Sequence, residues 1–96
     1  MQHLSNDDPE VARIIQREEA RIENTLDLIA AENHAPRSIL EAQGSIFSTK
    51  AAEGYQGPRF HAGCVNPDQL ASLAILRAKQ LFGADDANLQ PRSGVS

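Results

Sequence analysis

The sequence contains few of the residues that mark several classes of protein. Its 96 residues include one cysteine, no tryptophan and four aromatic side chains. A single cysteine, Cys64, excludes an internal disulfide and a zinc site built from several thiolates, and it fits a reducing compartment. No apolar run approaches the length of a membrane span, and the polar first residues contain no signal-peptide core. We therefore expect a cytoplasmic protein with no membrane partner and no metal site.

The charge balance also argues against one class of partner. Thirteen acidic and nine basic side chains give a net charge of −4. A surface that binds nucleic acid needs clustered lysine and arginine, so we expect no nucleic-acid partner. A small anionic ligand stays compatible, because a few arginines and a helix N-terminus are sufficient to bind phosphate. The hydrophobic content of 41% is enough for one small, mainly aliphatic core.

Capping signals and apolar spacing predict two helices in the first half of the chain. Residues 1–8 are interpreted as a loose polar arm. Asp8 and Pro9 then supply an N-cap and a first helical residue, and an amphipathic helix is predicted over residues 9–24. A second helix is predicted to open at Pro36 and to extend as far as Phe47, although an internal glycine weakens its middle.

A third helix is predicted after a long loop. Residues 52–65 form a glycine-rich loop without helical or strand periodicity. Asn66 is predicted to cap the third helix, with Pro67 at its first position, and Gly83 is predicted to end it. The fold class predicted for the chain is therefore mostly α, with three helices and one long loop.

A short segment near the end of the sequence is predicted to begin a β-strand. It comprises residues 87–90 and is followed by a turn at Pro91. One strand without a partner cannot form a sheet, so we expect the chain to be the N-terminal part of a larger domain. The isolated chain is expected to expose apolar surface and to be marginally stable.

Three segments in order resemble the N-terminal region of the serine hydroxymethyltransferase family: LIAAENHAPRSILEAQGS, AAEGYQGPRFHAGC and ILRAKQLFGADDANLQPRSG. The resemblance covers roughly residues 26–94. It implies a pyridoxal-phosphate enzyme of the aspartate-aminotransferase fold type, with an α/β domain and a mainly parallel sheet. Such enzymes interconvert serine and glycine with tetrahydrofolate and assemble as homodimers or tetramers with shared active sites. Residues 1–96 are then a partial N-terminal segment of that domain.

The resemblance also implies roles for individual residues. Glu53 matches a glutamate that acts in proton transfer during the hydroxymethyl step. Tyr55 matches the second tyrosine of the same motif, and His61 replaces a tyrosine that contacts substrate. Glu32 belongs to a second matching motif and is predicted to contact substrate. Without the motif, Glu53 would be interpreted as an exposed charge and Tyr55 as a packed side chain.

Two further residues match the beginning of the family's phosphate-binding turn. Ser93 and Gly94 are predicted to bind the cofactor phosphate through hydroxyl and backbone N–H groups. Arg59 matches a basic residue of the family loop; taken alone, such an arginine is more often a surface or ion-pair residue. Cys64 is interpreted as a small buried residue rather than a nucleophile.

Several positions differ from the family pattern, and they cluster at the predicted site. Most of the changes remove hydroxyl groups that hold cofactor or substrate, and a hydrogen bond to a charged group contributes roughly 1.5–3 kcal/mol. Arg92 and His61 are candidates to compensate for part of the loss. The departing positions are Ala31, Ala51, Phe60, His61, Ala62, Arg92 and Val95.

The reaction of the family needs a Schiff-base lysine. The lysines of this sequence are Lys50 and Lys79, and neither matches that position, which lies well beyond residue 96. We therefore expect the chain to be inactive alone, as an N-terminal fragment or truncated reading frame. Three alternatives stay open: a related pyridoxal-phosphate enzyme with altered amino-acid specificity, a non-catalytic remnant that binds a full-length homologue through the first helix, and an unrelated small helical module.

Overall fold

A computed structural model describes residues 1–94 of the chain. Contacts divide it into two compact units, the first from Met1 to Pro36 and the second beginning at Arg37. The loss of a phosphate-binding hydroxyl predicted at Val95 lies outside the described residues. No helix in the described part combines the length and the apolar character needed to cross a membrane.

The first unit contains two helices, α1 (Gln2–Asp7) and α2 (Pro9–Glu23). The sequence predicted a loose arm over residues 1–8, and this is wrong, because α1 forms there. Helix α1 contacts α2, and the backbone N–H of Ser5 donates to the carbonyl of Met1 across 2.9 Å. A six-residue helix is marginal in isolation, so contact with a neighbour is the physical reason for its presence.

Helix α2 begins with the predicted cap. The carboxylate of Asp8 accepts a hydrogen bond from the backbone N–H of Val11 across 3.1 Å, and Pro9 is the first helical residue. The helix ends one residue before the predicted boundary, where the Asn24 side chain donates to the carbonyl of Ala20 across 2.7 Å. Local capping chemistry therefore defines both ends of α2.

The second unit begins with α3 (Arg37–Gln43) and a short 3₁₀ helix (Ile46–Thr49). The predicted continuous helix to Phe47 is interrupted at Gly44, whose N–H closes the last turn on the carbonyl of Leu40 across 3.0 Å. The backbone freedom of glycine favours this interruption.

Helix α4 (Val65–Phe82) is the longest element, and its start differs from the prediction. The N-cap is Cys64, which makes no side-chain capping bond, and Asn66 lies within the helix. Pro67 is tolerated at the third position because the first four N–H groups of a helix have no intrahelical partner. The predicted end is confirmed: Gly83 adopts the left-handed conformation, with φ 61° and ψ 33°.

The predicted strand at residues 87–90 does not form, since no strand is present within residues 1–94. The segment instead has no regular secondary structure, and the side chain of Asn88 accepts a hydrogen bond from the N–H of Gln90 across 2.9 Å. A strand needs a second strand for pairing, and this part of the chain supplies none. The described chain is accordingly a small helical structure, as the mostly-α prediction requires.

Little apolar surface is buried in either unit. Among residues 1–94, the buried hydrophobic residues are Ala12 and Cys64. Both long helices keep large apolar side chains exposed, which confirms the expected exposed apolar surface and indicates faces suited to further packing. The exposed residues on these helices include Val11, Ile14 and Ile22 of α2 and Leu70, Leu73, Leu76, Leu81 and Phe82 of α4.

Candidate active site

The loop that leads into α4, residues 52–64, is held by a buried arginine. The side chain of Arg59 is 6% exposed, and its Nε donates to Oδ1 of Asp68 across 2.7 Å. Its Nη1 donates to the carbonyls of Ala52 and Gly54, across 2.6 Å and 2.7 Å. The second carboxylate oxygen of Asp68 accepts the N–H of Gly57 across 3.2 Å. The loop is thus organised around a polar centre instead of an apolar one.

The same contacts shift the ionisation of Asp68. The hydrogen bond from Arg59 lowers the pKa of this carboxyl below its ordinary value, and the N–H of Gly57 adds to the effect. The side chain of Asp68 is 29% exposed, so water screens part of the attraction. Asp68 therefore stays ionised at a lower pH than an ordinary aspartate does, and its charge offsets that of the buried guanidinium.

A lysine closes the base of the loop. The Nζ of Lys50 donates to the carbonyl of Ala62 across 2.7 Å and to the carbonyl of Ala51 across 3.0 Å. Cys64 is buried at this end, with Sγ 3.4 Å from the carbonyl of His61, in agreement with its interpretation as a small buried residue. Ala51 and Ala62, which depart from the family pattern, therefore supply the carbonyls that fix Lys50.

Backbone contacts bring the two arms of the loop together. The N–H of Phe60 donates to the carbonyl of Glu53 across 3.1 Å. Gly54 has φ 100°, and a Cβ at this position would lie 3.3 Å from the carbonyl oxygen of Pro58. The side chain of Gln90 also donates to the carbonyl of Gly54 across 3.1 Å. The loop therefore follows a tight path that only glycine adopts easily at residue 54.

This path places two predicted site residues in contact. Nε2 of His61 lies 3.2 Å from Oε2 of Glu53. The side chains are 50% and 69% exposed, respectively, so both are accessible to a ligand. Because Nε2 of His61 faces the carboxylate of Glu53, the tautomer with the proton on Nε2 is favoured. An acid–base pair held on a fixed loop is typical of enzymes that transfer protons.

The other predicted site residues have different surroundings. Tyr55 is exposed and lines a cavity of about 680 Å³ between the loop and α4, together with Phe47, Ile75 and Leu89. Glu32 belongs to the first unit, where its N–H donates to the carbonyl of Ile29 across 3.1 Å. The structure therefore gives Tyr55 a place in the second unit without joining it to the Glu53–His61 pair.

Glu32 takes part in a small acidic group within the first unit. The N–H of Ile29 donates to Asp27 across 2.9 Å and lowers the pKa of that carboxyl, which lies near Glu32. Ser93 and Gly94 lie in a turn, and Ser93 is exposed. The ligand-binding roles of these three residues remain predictions.

Sequence reasoning missed the residues that organise the loop. Arg59 was interpreted only as a basic residue of the family loop or an ion-pair partner, and Asp68 was not singled out. The available signal was weak: one arginine in a glycine-rich loop and one carboxylate in the first turn of the following helix. Their contact joins positions nine residues apart, and no periodicity specifies such a distance.

Comparison with known proteins gives the same family as the residue motifs. The family model for serine hydroxymethyltransferase matches residues 4–96. The serine hydroxymethyltransferase of Kineococcus radiotolerans is 54% identical over 93 residues, which cover 97% of this chain and 21% of the relative. That of Kocuria rhizophila is 55% identical over 94 residues, covering 98% of this chain and 22% of the relative. The protein of the same name from Halorubrum lacusprofundi is 52% identical over 94 residues.

These matches are long and cover nearly all of the chain. The chain therefore belongs to the serine hydroxymethyltransferase family. It spans about a fifth of the length of the curated relatives it matches, and it corresponds to their N-terminal part.

Proposed function

We propose that the chain is the N-terminal part of a pyridoxal-phosphate enzyme that interconverts serine and glycine and transfers a one-carbon unit to tetrahydrofolate. The observation that carries the proposal is the family match over residues 4–96, joined to the contact between Glu53 and His61. We further propose that residues 1–96 alone are inactive, and that the complete protein is cytoplasmic, has the α/β fold of the aspartate-aminotransferase type and acts as a homodimer or tetramer.

Residues 92–94 support the proposal that this segment contacts the phosphate end of the cofactor. A turn at residues 92–94 presents the exposed Ser93, and a Cβ at Gly94 would meet nothing within 4 Å. A hydroxyl, backbone N–H groups and the neighbouring guanidinium of Arg92 are suitable donors for a phosphate. When bound, pyridoxal phosphate supplies an electron sink for bond cleavage at the α-carbon of the amino acid.

The lysines do not fit a covalent link to that cofactor. The amine of Lys50 is held by two backbone carbonyls at the base of the loop. Lys79 lies near the end of α4, on an element that the resemblance does not connect with the cofactor. In the proposed enzyme, this segment therefore contributes phosphate and substrate contacts, and another part of the protein supplies the anchoring lysine.

Glu53 has the central chemical role in the proposal. Its carboxyl group exchanges a proton with the hydroxymethyl oxygen of the substrate, which is general acid–base chemistry. His61 holds the carboxylate across 3.2 Å and contacts substrate where the family pattern has a tyrosine. Tyr55 and Glu32 complete the proposed substrate contacts.

The experiment that tests this proposal is a chimera. Residues 1–96 replace the corresponding segment of the Kineococcus relative, which is 54% identical over 93 residues. We expect the purified chimera to convert serine and tetrahydrofolate to glycine, and a Glu53→Gln variant to lose most of this activity. A folded, cofactor-loaded chimera without activity would contradict the proposal. Activity toward another amino acid only would favour the related enzyme with altered specificity.

A second function is favoured by the exposed apolar faces of the helices. The alternative is a non-catalytic remnant that binds a full-length homologue, with α2 as the contact. Ile14 and Ile22 of α2 are 56% and 39% exposed, which provides an apolar face for such a complex. Titrating the 96-residue chain into the intact Kineococcus relative and measuring mass by light scattering distinguishes the two. The remnant would be supported by two results together: the chain forms a stable complex with the intact relative, and the chimera is inactive.

A further inference from the structure

One arginine holds the backbone on both sides of the proposed proton-transfer residue. Nη1 of Arg59 donates to the carbonyls of Ala52 and Gly54, which are the residues immediately before and after Glu53. The carbonyl of Glu53 itself accepts the N–H of Phe60 across 3.1 Å. Three consecutive carbonyls are thus bound by groups from the opposite arm of the loop, and the backbone of Glu53 has little freedom to rotate.

The guanidinium is itself fixed from α4. Asp68, in the first turn of α4, accepts the Nε–H of Arg59 across 2.7 Å. Because the arginine side chain is 6% exposed, it exchanges few of these bonds for water. The helix therefore orients Asp68, Asp68 orients Arg59, and Arg59 orients the segment that carries Glu53.

We propose that Arg59 is a positioning residue for Glu53, and that Asp68 is its anchor. Arg59 fixes the loop in the conformation in which the Glu53 carboxylate faces His61 across 3.2 Å. The inference rests on the proposed function only for the chemical role of Glu53. A lysine at position 59 keeps the charge but lacks the planar fork that reaches one carboxylate and two carbonyls at once.

The first experiment measures the protection of the loop's backbone hydrogen bonds in the 96-residue chain. Amide hydrogen exchange is followed by NMR at Phe60 and Gly57, whose N–H groups donate to Glu53 and Asp68. We expect both amides to exchange roughly tenfold more slowly than unstructured amides. The Arg59→Lys variant is expected to lose this protection. Arg77→Lys is the matched control, since Arg77 is an exposed residue of α4.

Each result of this experiment decides the geometric part of the proposal. Loss of protection in Arg59→Lys with retention in Arg77→Lys supports it. Protection that persists in Arg59→Lys overturns it, as does a parent chain in which neither amide is protected. Equal loss in both variants also overturns it, because charge-conserving changes would then act through general destabilisation.

The second experiment tests the link to Glu53 in the chimera. Displacement of a reacting group by about 1 Å costs up to roughly 10²-fold in rate, so we expect Arg59→Lys to lower kcat by about tenfold or more and to change KM for serine less. In a Glu53→Gln background, Arg59→Lys is expected to have little further effect on kcat. A merely structural role would lower kcat by the same factor in both backgrounds.

The two experiments separate this inference from the proposed function. An active chimera with additive effects of the two substitutions overturns the positioning role while the proposed function stands. An inactive parent chimera contradicts the proposed function, and the exchange measurement then decides alone whether Arg59 fixes the Glu53 segment. Neither Arg59→Lys nor Arg59→Gln is expected to retain the parent kcat. Each replacement side chain has one donor nitrogen, whereas the guanidinium uses two.

Discussion

The guanidinium of Arg59 and the carboxylate of Asp68 meet across 2.7 Å and join the middle of the loop to the first turn of α4. The arginine is nearly inaccessible to water, and the aspartate is partly exposed. Through this one contact, the orientation of a helix determines the path of a loop that has almost no apolar core. Protonating Asp68 or replacing a loop glycine should therefore change the signals of particular backbone amides.

Acid is expected to release the loop from α4. Because hydrogen bonds from Arg59 and Gly57 lower the pKa of Asp68 in the folded loop, the ionised carboxylate favours the folded form. This contribution is complete above the ordinary value of 3.8 and is lost as the pH falls through the lower folded pKa. We expect the amide signal of Gly57 to follow the titration of Asp68, with a midpoint below 3.8.

An Asp68→Asn variant is the control for this titration. Its side chain still accepts a hydrogen bond but does not ionise in this range, so the Gly57 signal should stay nearly constant across the same pH window. A midpoint above 3.8 in the parent chain would show that the carboxylate is not held by Arg59. Added salt is expected to have a small effect, because the guanidinium is buried and weakly screened.

Two loop glycines provide a matched pair of substitutions. Gly54 and Gly57 have φ values of 100° and 90°, so alanine is strained by roughly 1–2 kcal/mol at either position. A Cβ at residue 54 would also lie 3.3 Å from the carbonyl oxygen of Pro58, whereas nothing lies within 4 Å at residue 57. We expect Gly54→Ala to release the Phe60 amide to exchange more than Gly57→Ala does.

The comparison separates backbone strain from steric contact. Equal effects of the two substitutions on the exchange rate of Phe60 would mean that strain alone matters. A larger effect at residue 57 would contradict the close approach of the two arms at residue 54. In the chimera, the same order is expected for the loss of kcat, since Gly54 is adjacent to Glu53.

Local chemistry allowed several helix boundaries to be predicted from the sequence. Asp8 with Pro9 and the left-handed Gly83 act within four residues of the boundary they define, and both positions are correct. Proline specified the beginning of α4 less well, because Pro67 is compatible with any position in the first turn. The helix α1 has no such signal, since its contact with α2 is tertiary.

The site could be predicted only as far as its motifs extend. Glu53 and His61 were selected by resemblance, and their contact depends on the path of the loop. That path is determined by bonds from Lys50 and Arg59 to carbonyls as far as 12 residues along the chain. Neither propensity nor periodicity encodes such bonds, because any residue offers the same carbonyl group.

The end of α4 is expected to depend on Gly83. Its left-handed conformation, φ 61° and ψ 33°, lets the N–H of Ala84 reach the carbonyl of Lys79 across 3.1 Å. Alanine at residue 83 is expected to destabilise this cap by about 1 kcal/mol. We expect Gly83→Ala to increase exchange of the Ala84 amide and to lower helical ellipticity slightly.

The control for this substitution is Gly94→Ala. Gly94 has no positive φ, and a Cβ there would meet nothing within 4 Å, so the ellipticity of the chain should not change. If both substitutions changed exchange at Ala84 equally, the left-handed cap would not be the cause.

Treatment with pyridoxal phosphate and borohydride is expected to leave the 96-residue chain without a stoichiometric lysine adduct. The amine of Lys50 is engaged by the carbonyls of Ala51 and Ala62 at 3.0 Å and 2.7 Å, and an ammonium that donates two hydrogen bonds is a poor nucleophile. Lys79 is half-buried in the last turn of α4. Absorbance in the visible band and peptide mapping after reduction measure the adduct.

The active chimera, which contains the relative's own anchoring lysine, should give one reduced adduct per subunit outside residues 1–96. A single stoichiometric adduct at Lys50 or Lys79 would show that this segment forms a cofactor site by itself, and the division of roles between this segment and the rest of the enzyme would then be wrong.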